Sequence, residues 1–174
     1  MSSTDDGPVF RRITTRKLDT VYFIINEAAQ AYHGLIPPER SLDPYMPRQE
    51  FRDELKAGVE FWGVEESGAL RGVMGVQRVR DVMLIRHAYV LPEYQRRGIG
   101  RSLLHFLLAR TRRPVLIGTW AGVRSAIRFY ERHGFTCVPV PAIGPLLEKY
   151  WQVPAAQAAA SVVLANVTVD RLDY

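Results

Sequence analysis

The pattern of apolar positions along the chain predicts four helices and six strands. Apolar residues recur at spacings of three and four over residues 16–32, 99–110 and 122–133, which is typical of amphipathic helices, and a shorter helix is predicted over residues 47–57. Runs rich in apolar and β-branched residues predict strands over residues 59–66, 69–79, 82–91, 115–119, 135–140 and 160–169. The prolines of residues 141–154 predict a long loop with one helical turn around residues 146–151.

The order of these elements predicts an α/β fold. The turn Glu66-Ser67-Gly68 joins two strands into a hairpin, and helices alternate with strands from residue 99 onwards. We therefore expect a single mixed, mostly antiparallel sheet of roughly six to seven strands flanked by about four helices. The length of 174 residues suits one domain over residues 1–174, with a short flexible N-terminus at about residues 1–8.

Composition and cysteine content narrow the class of protein. Apolar residues make up 47% and charged residues 24%, as in ordinary globular proteins and unlike disordered chains. Cys137 is the single cysteine, so no internal disulfide and no cysteine-based zinc site can form, and no metal is expected. The sequence has no secretory signal and no apolar run of about 20 residues, so we expect a cytoplasmic protein with no membrane partner.

The positive charge is concentrated in one segment. The whole chain has a formal net charge of +5, but residues 95–132 hold nine arginines and one acid, a net charge of +8. The remainder holds 14 basic and 17 acidic residues, a net charge of −3. The basic segment therefore predicts an anionic partner, which is either a phosphorylated ligand or a nucleic acid.

A glycine-containing loop at residues 90–102 lies between a predicted strand and a predicted helix. Gly98 and Gly100 allow the backbone to approach a ligand, and the free N–H groups of the first helical turn favour an anion. Three cations accompany these amides: Arg96, Arg97 and Arg101. This arrangement predicts a pyrophosphate site, although such a loop is also compatible with a tight turn alone. A dinucleotide-binding loop would need glycine at position 103, where this chain has Leu103.

Two motifs resemble those of the GNAT superfamily of CoA-dependent N-acyltransferases. Gln95-Arg96-Arg97-Gly98-Ile99-Gly100 matches the family's Q/R-x-x-G-x-G/A signature, and residues 126–135 resemble its A-x-x-F-Y-E-x-x-G-F element. The resemblance implies the GNAT fold, acetyl-CoA as cosubstrate, and acetyl transfer to a primary amine. It also accounts for the basic segment through the phosphates of CoA, so no nucleic-acid partner is expected.

The resemblance implies where CoA binds. The pyrophosphate would be held by the loop and the start of its helix: Gln95, Arg96, Arg97, Gly98, Ile99, Gly100, Arg101 and Ser102. The pantetheine amides would pair with the end of the preceding strand, at Ala88, Tyr89 and Val90. One departure from the family stands at position 123, where the family often has Asn and this chain has Val123. That change removes one polar contact to the cofactor.

The family reaction needs a proton donor for the departing thiolate and a base for the attacking amine. Tyr130 lies at the family's acid position, and a phenol with a pKa of ~10 is protonated at neutral pH. His87 is the candidate base because imidazole titrates near neutrality. Glu60, Glu65 and a chain of water molecules are alternatives for the base.

Two loops are expected to build the acceptor pocket, residues 32–47 and residues 141–154. They contain aromatic and acidic groups that would suit a cationic small-molecule or peptide amine: His33, Asp43, Tyr45, Met46, Glu148, Tyr150 and Trp151. A second reading is a non-catalytic GNAT-fold module that binds CoA or regulates a partner. The C-terminal strand pair at a sheet edge would also allow a homodimer.

Overall fold

The computed structural model describes residues 7–172, so most of the N-terminal segment predicted to be flexible lies outside the described residues. Seven strands are present: β1 Val9–Arg12, β2 Glu60–Glu66, β3 Ala69–Val79, β4 Val82–Val90, β5 Val115–Trp120, β6 Thr136–Cys137 and β7 Ser161–Ala165. The α-helices are α1 Leu18–Ala29, α2 Arg48–Lys56, α3 Ile99–Leu108, α4 Arg124–Glu131, α5 Val140–Tyr150 and α6 Ala155–Ala159. Short 3-10 turns flank several of them.

The seven strands form one mixed sheet in the order β1-β2-β3-β4-β5-β7-β6. The β1–β2, β2–β3, β5–β7 and β6–β7 pairs are antiparallel, and the β4–β5 pair is parallel. This arrangement confirms the predicted α/β fold class with its mostly antiparallel sheet. The helices predicted around residues 16–32, 47–57, 99–110 and 122–133 are all present with shorter bounds.

The region after residue 134 differs most from the prediction. The strand predicted over residues 135–140 is reduced to β6, and the predicted loop over residues 141–154 is largely the helix α5. Pro141 lies in the first turn of α5, where no N–H is needed, and Pro145 lies inside the helix. The helix forms because its apolar face is buried through Ala142, Leu146, Leu147 and Tyr150. Burial of that face thus outweighs the local preference of proline for a loop.

The first strand was not predicted either. β1 is four residues long and mostly exposed, and it pairs with β2 at the edge of the sheet. Its Phe10 stacks on Phe106 of α3, with ring centroids 4.4 Å apart. Such a short strand carries too few alternating positions to stand out in the sequence.

The described residues divide into two compact units. The first unit comprises residues 7–31, 43–76 and 87–111 and holds β1, β2, most of β3, α1, α2, α3 and the end of β4. Within it, the side chain of Asn26 on α1 binds the backbone N–H of Met46 at 2.8 Å and the Met46 carbonyl at 3.3 Å. This contact fixes the loop that leads into α2.

The second unit comprises residues 32–42, 77–86 and 112–172. It holds β5, β6, β7, the start of β4 and the helices α4, α5 and α6. Its core is formed by apolar residues of the strands and of α5, including Val82, Leu84, Leu116, Leu146 and Val163. Within residues 7–172, no helix is long and apolar enough to cross a membrane.

Candidate functional site

Strand β4 changes character at His87. Residues Val82 to Ile85 are buried, whereas Arg86, His87 and Ala88 are partly exposed. His87 has a φ of +50°, in the left-handed region that costs a non-glycine residue about 1–2 kcal/mol. A residue in this conformation interrupts the regular strand geometry and changes the direction of its side chain. His87 to Val90 form the part of β4 that belongs to the first unit.

The loop after β4 is wound tightly between the strand and α3. The side-chain amide of Gln95 donates a hydrogen bond of 3.0 Å to the carbonyl of Val90, which ties the loop to the end of β4. Arg96 has a φ of +60° and Gly98 has a φ of +85°. Gly98 immediately precedes α3, and it tolerates the left-handed conformation because glycine has no Cβ.

The start of α3 offers unpaired donors to solvent. The first helical bond from this end is donated by the Ser102 N–H to the Gly98 carbonyl at 2.9 Å, so the N–H groups of residues 99–101 precede the bonded ladder. No side chain caps this end, and its first turn contains no acid. We call these N–H groups, with the exposed side chains of Arg96, Arg97 and Arg101, the anion cradle. Its donors and charges fit a pyrophosphate.

Ser102 contributes less than the sequence predicts. Its N–H is donated to Gly98, and its hydroxyl donates to the Ile99 carbonyl at 2.9 Å. Ile99 itself is buried and contributes a backbone amide and a packing side chain. Both donors of Ser102 are therefore used inside α3.

Arg71 adds a cation beside the cradle that sequence reasoning missed. Its guanidinium lies 4.1 Å from the centroid of the Tyr94 ring, and the guanidinium of Arg97 lies 5.0 Å from the same centroid. Tyr94 thus orders two arginines next to the loop. The signal in the sequence was weak because Arg71 lies on β3, about twenty residues before the motif.

The candidate base His87 is paired with a carboxylate. Its Nε2 lies 3.0 Å from Oε2 of Glu54 on α2, and each side chain is only 15% exposed. Glu54 was not singled out in the sequence because it lies on a charged helix with no motif. The two glutamates that were considered have other partners. Glu60 is half-exposed and pairs with Arg12, and Glu65 is buried and pairs with Arg11 and Lys17.

The candidate acid Tyr130 lies in the second unit, on α4. Its ring is buried and makes edge contacts with Phe129 and Phe135, at centroid distances of 5.1 and 5.9 Å. Burial, with a smaller contribution from Tyr32, raises the pKa of the Tyr130 phenol well above its ordinary value of 10.0. The phenol is therefore protonated throughout the neutral range. Val123, at the start of α4, is buried and offers only its backbone for hydrogen bonding.

Of the residues expected to line an acceptor pocket, some are buried in the core and others make contacts with strands of the sheet. Met46 is only 1% exposed, so it belongs to the core rather than to a pocket wall. Tyr150 is buried too, and its hydroxyl donates to Asp81 Oδ1 at 2.9 Å. In the first unit, Tyr45 makes an edge contact with Tyr89 of β4, at a centroid distance of 6.5 Å. In the second unit, the Trp151 ring packs over Gly118.

The remaining titratable residues of interest have simple surroundings. His33 bonds through Nδ1 to the Ser41 hydroxyl at 2.9 Å, and Asp43 and Glu148 are exposed. Cys137 is half-buried in β6. Across residues 7–172, no group of three or more potential metal ligands comes together.

Comparisons with known proteins agree with this geometry. Residues 57–137 match the family model described as acetyltransferase (GNAT) domain. The peptidyl-lysine N-acetyltransferase YiaC of Escherichia coli (strain K12) is 31% identical over 88 residues, which are 50% of this chain and 57% of that protein. The match thus spans little more than half the length of this relative.

Solved structures extend the likeness to almost the whole chain. An acetyltransferase of the GNAT family from Staphylococcus aureus Mu50 has a TM-score of 0.67 at 15% identity, covering 91% of this chain and 98% of that chain. The PaiA N-acetyltransferase of Thermoplasma acidophilum, in complex with coenzyme A, has a TM-score of 0.66 at 15% identity, with the same coverage. At this identity the structural likeness concerns the fold.

The seven-stranded mixed sheet, with the loop after β4 and the uncapped start of α3, has the fold of these acetyltransferase structures. Residues 57–137, slightly less than half of the chain, match the GNAT acetyltransferase domain, and this match, the E. coli relative and the shared fold together support a GNAT acetyltransferase.

Proposed function

We propose that this protein transfers the acetyl group of acetyl-CoA to a primary amine, by direct attack in a ternary complex. The observation that carries the proposal is the anion cradle, where backbone donors and arginines converge with no acid in the first turn of α3. The relatives support it, since the structure from T. acidophilum holds coenzyme A and the E. coli relative is described as a peptidyl-lysine N-acetyltransferase.

The donor would be held at two places in the first unit. The anion cradle would take the pyrophosphate through the N–H groups of residues 99–101 and the three arginines. The end of β4, from Ala88 to Val90, would pair with the pantetheine amides as a peptide pairs with a sheet edge. Each charge-assisted hydrogen bond in the cradle contributes on the order of 1.5–3 kcal/mol.

The chemistry moves two protons. The amine nitrogen bonds to the thioester carbon, the C–S bond breaks, and the nitrogen loses a proton to a base. In the proposal, Tyr130 protonates the departing thiolate, and His87 accepts the proton of the amine. A lysine-like acceptor with a pKa of ~10.4 costs about 4.6 kcal/mol to neutralise at pH 7, so a base positioned beside it is valuable.

The cradle is tested by a single charge removal. Arg101→Gln removes one cation from the cradle, and Arg78→Gln removes one from an exposed position of β3 as the matched control. We expect the Kd for CoA, measured by titration calorimetry, to rise about tenfold or more for Arg101→Gln and to stay unchanged for Arg78→Gln. Equal affinities of the two variants would contradict the assignment of the cradle.

Turnover is tested by release of free thiol from acetyl-CoA across a panel of primary amines. We expect at least one amine to support release, and Tyr130→Phe to lower kcat by about 100-fold while CoA affinity is retained. Tyr150→Phe is the matched control because it also removes the hydroxyl of a buried tyrosine.

A second candidate is a GNAT-fold module that binds CoA without catalysis. The observation that favours it is the buried, apolar Val123 at a position where the family often has a polar side chain. CoA binding without thiol release for any amine of the panel would support this module and overturn the proposed transferase.

A further inference from the structure

His87 and Glu54 form a close pair within the first unit. The distance between His87 Nε2 and Glu54 Oε2 is 3.0 Å, and each side chain is 15% exposed. The ring of His87 lies beside that of Phe61, with centroids 6.1 Å apart, and Phe61 contacts Phe51 of α2 at 5.7 Å. The imidazole is therefore held between a carboxylate and an aromatic wall, while a fraction of it stays open to solvent.

The pairing determines which ring nitrogen carries the proton. A carboxylate only accepts hydrogen bonds, so the nitrogen that faces it, Nε2, must be the N–H. In a neutral imidazole the other nitrogen, Nδ1, then has the lone pair. Among the contacts of residues 7–172, His87 Nδ1 receives no hydrogen bond, so this lone pair is not used within the described chain.

The backbone of His87 is consistent with a special role for this side chain. Its φ of +50° is unfavourable for a non-glycine residue and lies within an otherwise extended strand. Glu54 lies near the C-terminal end of α2. The exposed neighbour Asp53 instead accepts a hydrogen bond from Gln49 and pairs with Lys56. One carboxylate of α2 thus meets the imidazole and the adjacent one does not.

We propose that Glu54 is a positioning residue that holds His87 as the Nε2–H tautomer and leaves Nδ1 to accept the proton of the attacking amine. This inference rests on the proposed function. In the step, an N–H bond of the ammonium breaks, an Nδ1–H bond forms, and the freed nitrogen pair attacks the thioester carbon. The C–S bond then breaks, the leaving thiolate takes a proton from Tyr130 as proposed above, and the second proton that the nitrogen loses on forming the amide passes through solvent to restore the phenol. The resulting imidazolium is stabilised by the Glu54 carboxylate and later releases its proton to solvent.

The first arm of the test needs no acceptor. Nitrogen-15 spectra of protein labelled at its four histidines report which ring nitrogen carries the proton, and the His87→Gln variant assigns the His87 signals by difference. We expect His87 to be the Nε2–H tautomer in the wild-type protein and a mixture of tautomers in Glu54→Gln. Asp53→Asn, an equal charge change on the adjacent residue of α2, should leave the spectrum unchanged.

The second arm measures kcat and KM with an amine that supports turnover. A positioned histidine base contributes about 100-fold or more, so we expect His87→Gln to lower kcat by about that factor and Glu54→Gln to lower it by about 10- to 100-fold. The KM for acetyl-CoA should stay within about twofold. The double variant should be no slower than His87→Gln alone, because Glu54 acts through the imidazole.

An Nδ1–H tautomer in the wild-type protein, or an unchanged tautomer in Glu54→Gln, would overturn the proposal. Additive losses in the double variant would overturn it as well, since they would indicate a structural role of Glu54 that does not depend on His87. The absence of turnover with every amine would refute the proposed function instead, and the spectra would still decide the pairing.

Discussion

Gly72 on β3 allows α3 and the end of β4 to approach the strand closely, so Gly72→Ala tests how the anion cradle is supported. A Cβ at position 72 would lie 2.9 Å from Cγ2 of Ile99, 3.1 Å from Cγ2 of Val90 and 3.4 Å from the Tyr89 carbonyl. Ordinary contact begins at 3.4 Å, so Ile99 must retreat by about 0.5 Å. Ile99 opens α3 and Val90 ends β4, and both are β-branched and stiff at χ1.

The cost follows from this overlap. Overpacking of a tight site costs about 1–3 kcal/mol, and removal of glycine from a strand returns about 0.5–1 kcal/mol. We therefore expect Gly72→Ala to lower the free energy of unfolding by about 1–2 kcal/mol in a urea titration. Because the displaced residues carry the cradle, the Kd for CoA should rise by about threefold to tenfold in calorimetry, equivalent to about 0.7–1.4 kcal/mol.

Gly63→Ala is the matched control. It lies on the neighbouring strand β2, and its added Cβ would meet Leu70 Cδ2 at 2.5 Å, Ile13 Cδ1 at 3.1 Å and the Gly72 carbonyl oxygen at 3.2 Å, so its shortest contacts are with side chains other than Ile99 and Val90. We expect Gly63→Ala to lower stability without changing CoA affinity. The reasoning is refuted if Gly72→Ala binds CoA as tightly as the wild type, or if Gly63→Ala weakens binding as much as Gly72→Ala does.

Three further predictions concern the second unit. The raised pKa of Tyr130 means that the folded state holds the phenol proton more tightly than the unfolded chain does. The free energy of unfolding that this group contributes is therefore present below pH 10 and decreases above it. We expect urea unfolding at pH 9 and 11 to show a decrease of up to about 1.4 kcal/mol per pH unit relative to Tyr130→Phe. Gly122→Ala would place a Cβ 2.0 Å from the Leu35 carbonyl oxygen, so we expect a loss of about 2–3 kcal/mol and faster amide exchange in residues 32–42. Tyr150→Phe removes the hydroxyl that donates to Asp81, and should lower the free energy of unfolding by about 1–2 kcal/mol in the same urea assay.

Each of these predictions has its own control. The pH slope of Tyr130→Phe should be shallower than that of the wild type, and parallel slopes would contradict the burial argument. Gly7→Ala, whose added Cβ has no neighbour within 4 Å, should be neutral where Gly122→Ala is not. Asp81→Asn should cost less than Tyr150→Phe, because an amide oxygen still accepts the tyrosine hydrogen bond.

Local patterns were sufficient to predict the elements with strong periodicity or a clear turn. The strand over residues 69–79 has the predicted bounds, and the first strand of the hairpin around Gly68 begins one residue later than predicted. α3 was predicted because its apolar spacing follows a glycine-containing loop. These elements are specified by residues close together in the sequence.

The helix α5 shows where local patterns fail. Its prolines and glycine indicate a loop, whereas its helical state depends on burial of Leu146 and Leu147 in the core of the second unit. That burial depends on β5 and β7, which are remote in sequence. Tertiary packing of this kind is not encoded in any short window.

The sequence was sufficient to predict the residues of the anion cradle but not the partner of His87. The cradle was accessible to sequence reasoning because its donors and arginines lie within seven residues. The partner of His87 was not, since Glu54 precedes it by 33 residues and lies on another element. A pair formed by two elements that meet only in the folded unit leaves no spacing signal in one sequence.

The place of β7 in the sheet has a consequence for the synthesis of the protein. β7 pairs with β5 on one side and with β6 on the other, although it follows both of them in the chain. While the ribosome is still making the residues before 161, β5 and β6 have no strand between them, and the apolar residues that pack on β7 stay uncovered. The second unit therefore completes its fold only after Ser161–Ala165 have emerged, and the nascent chain exposes an aggregation-prone edge until then.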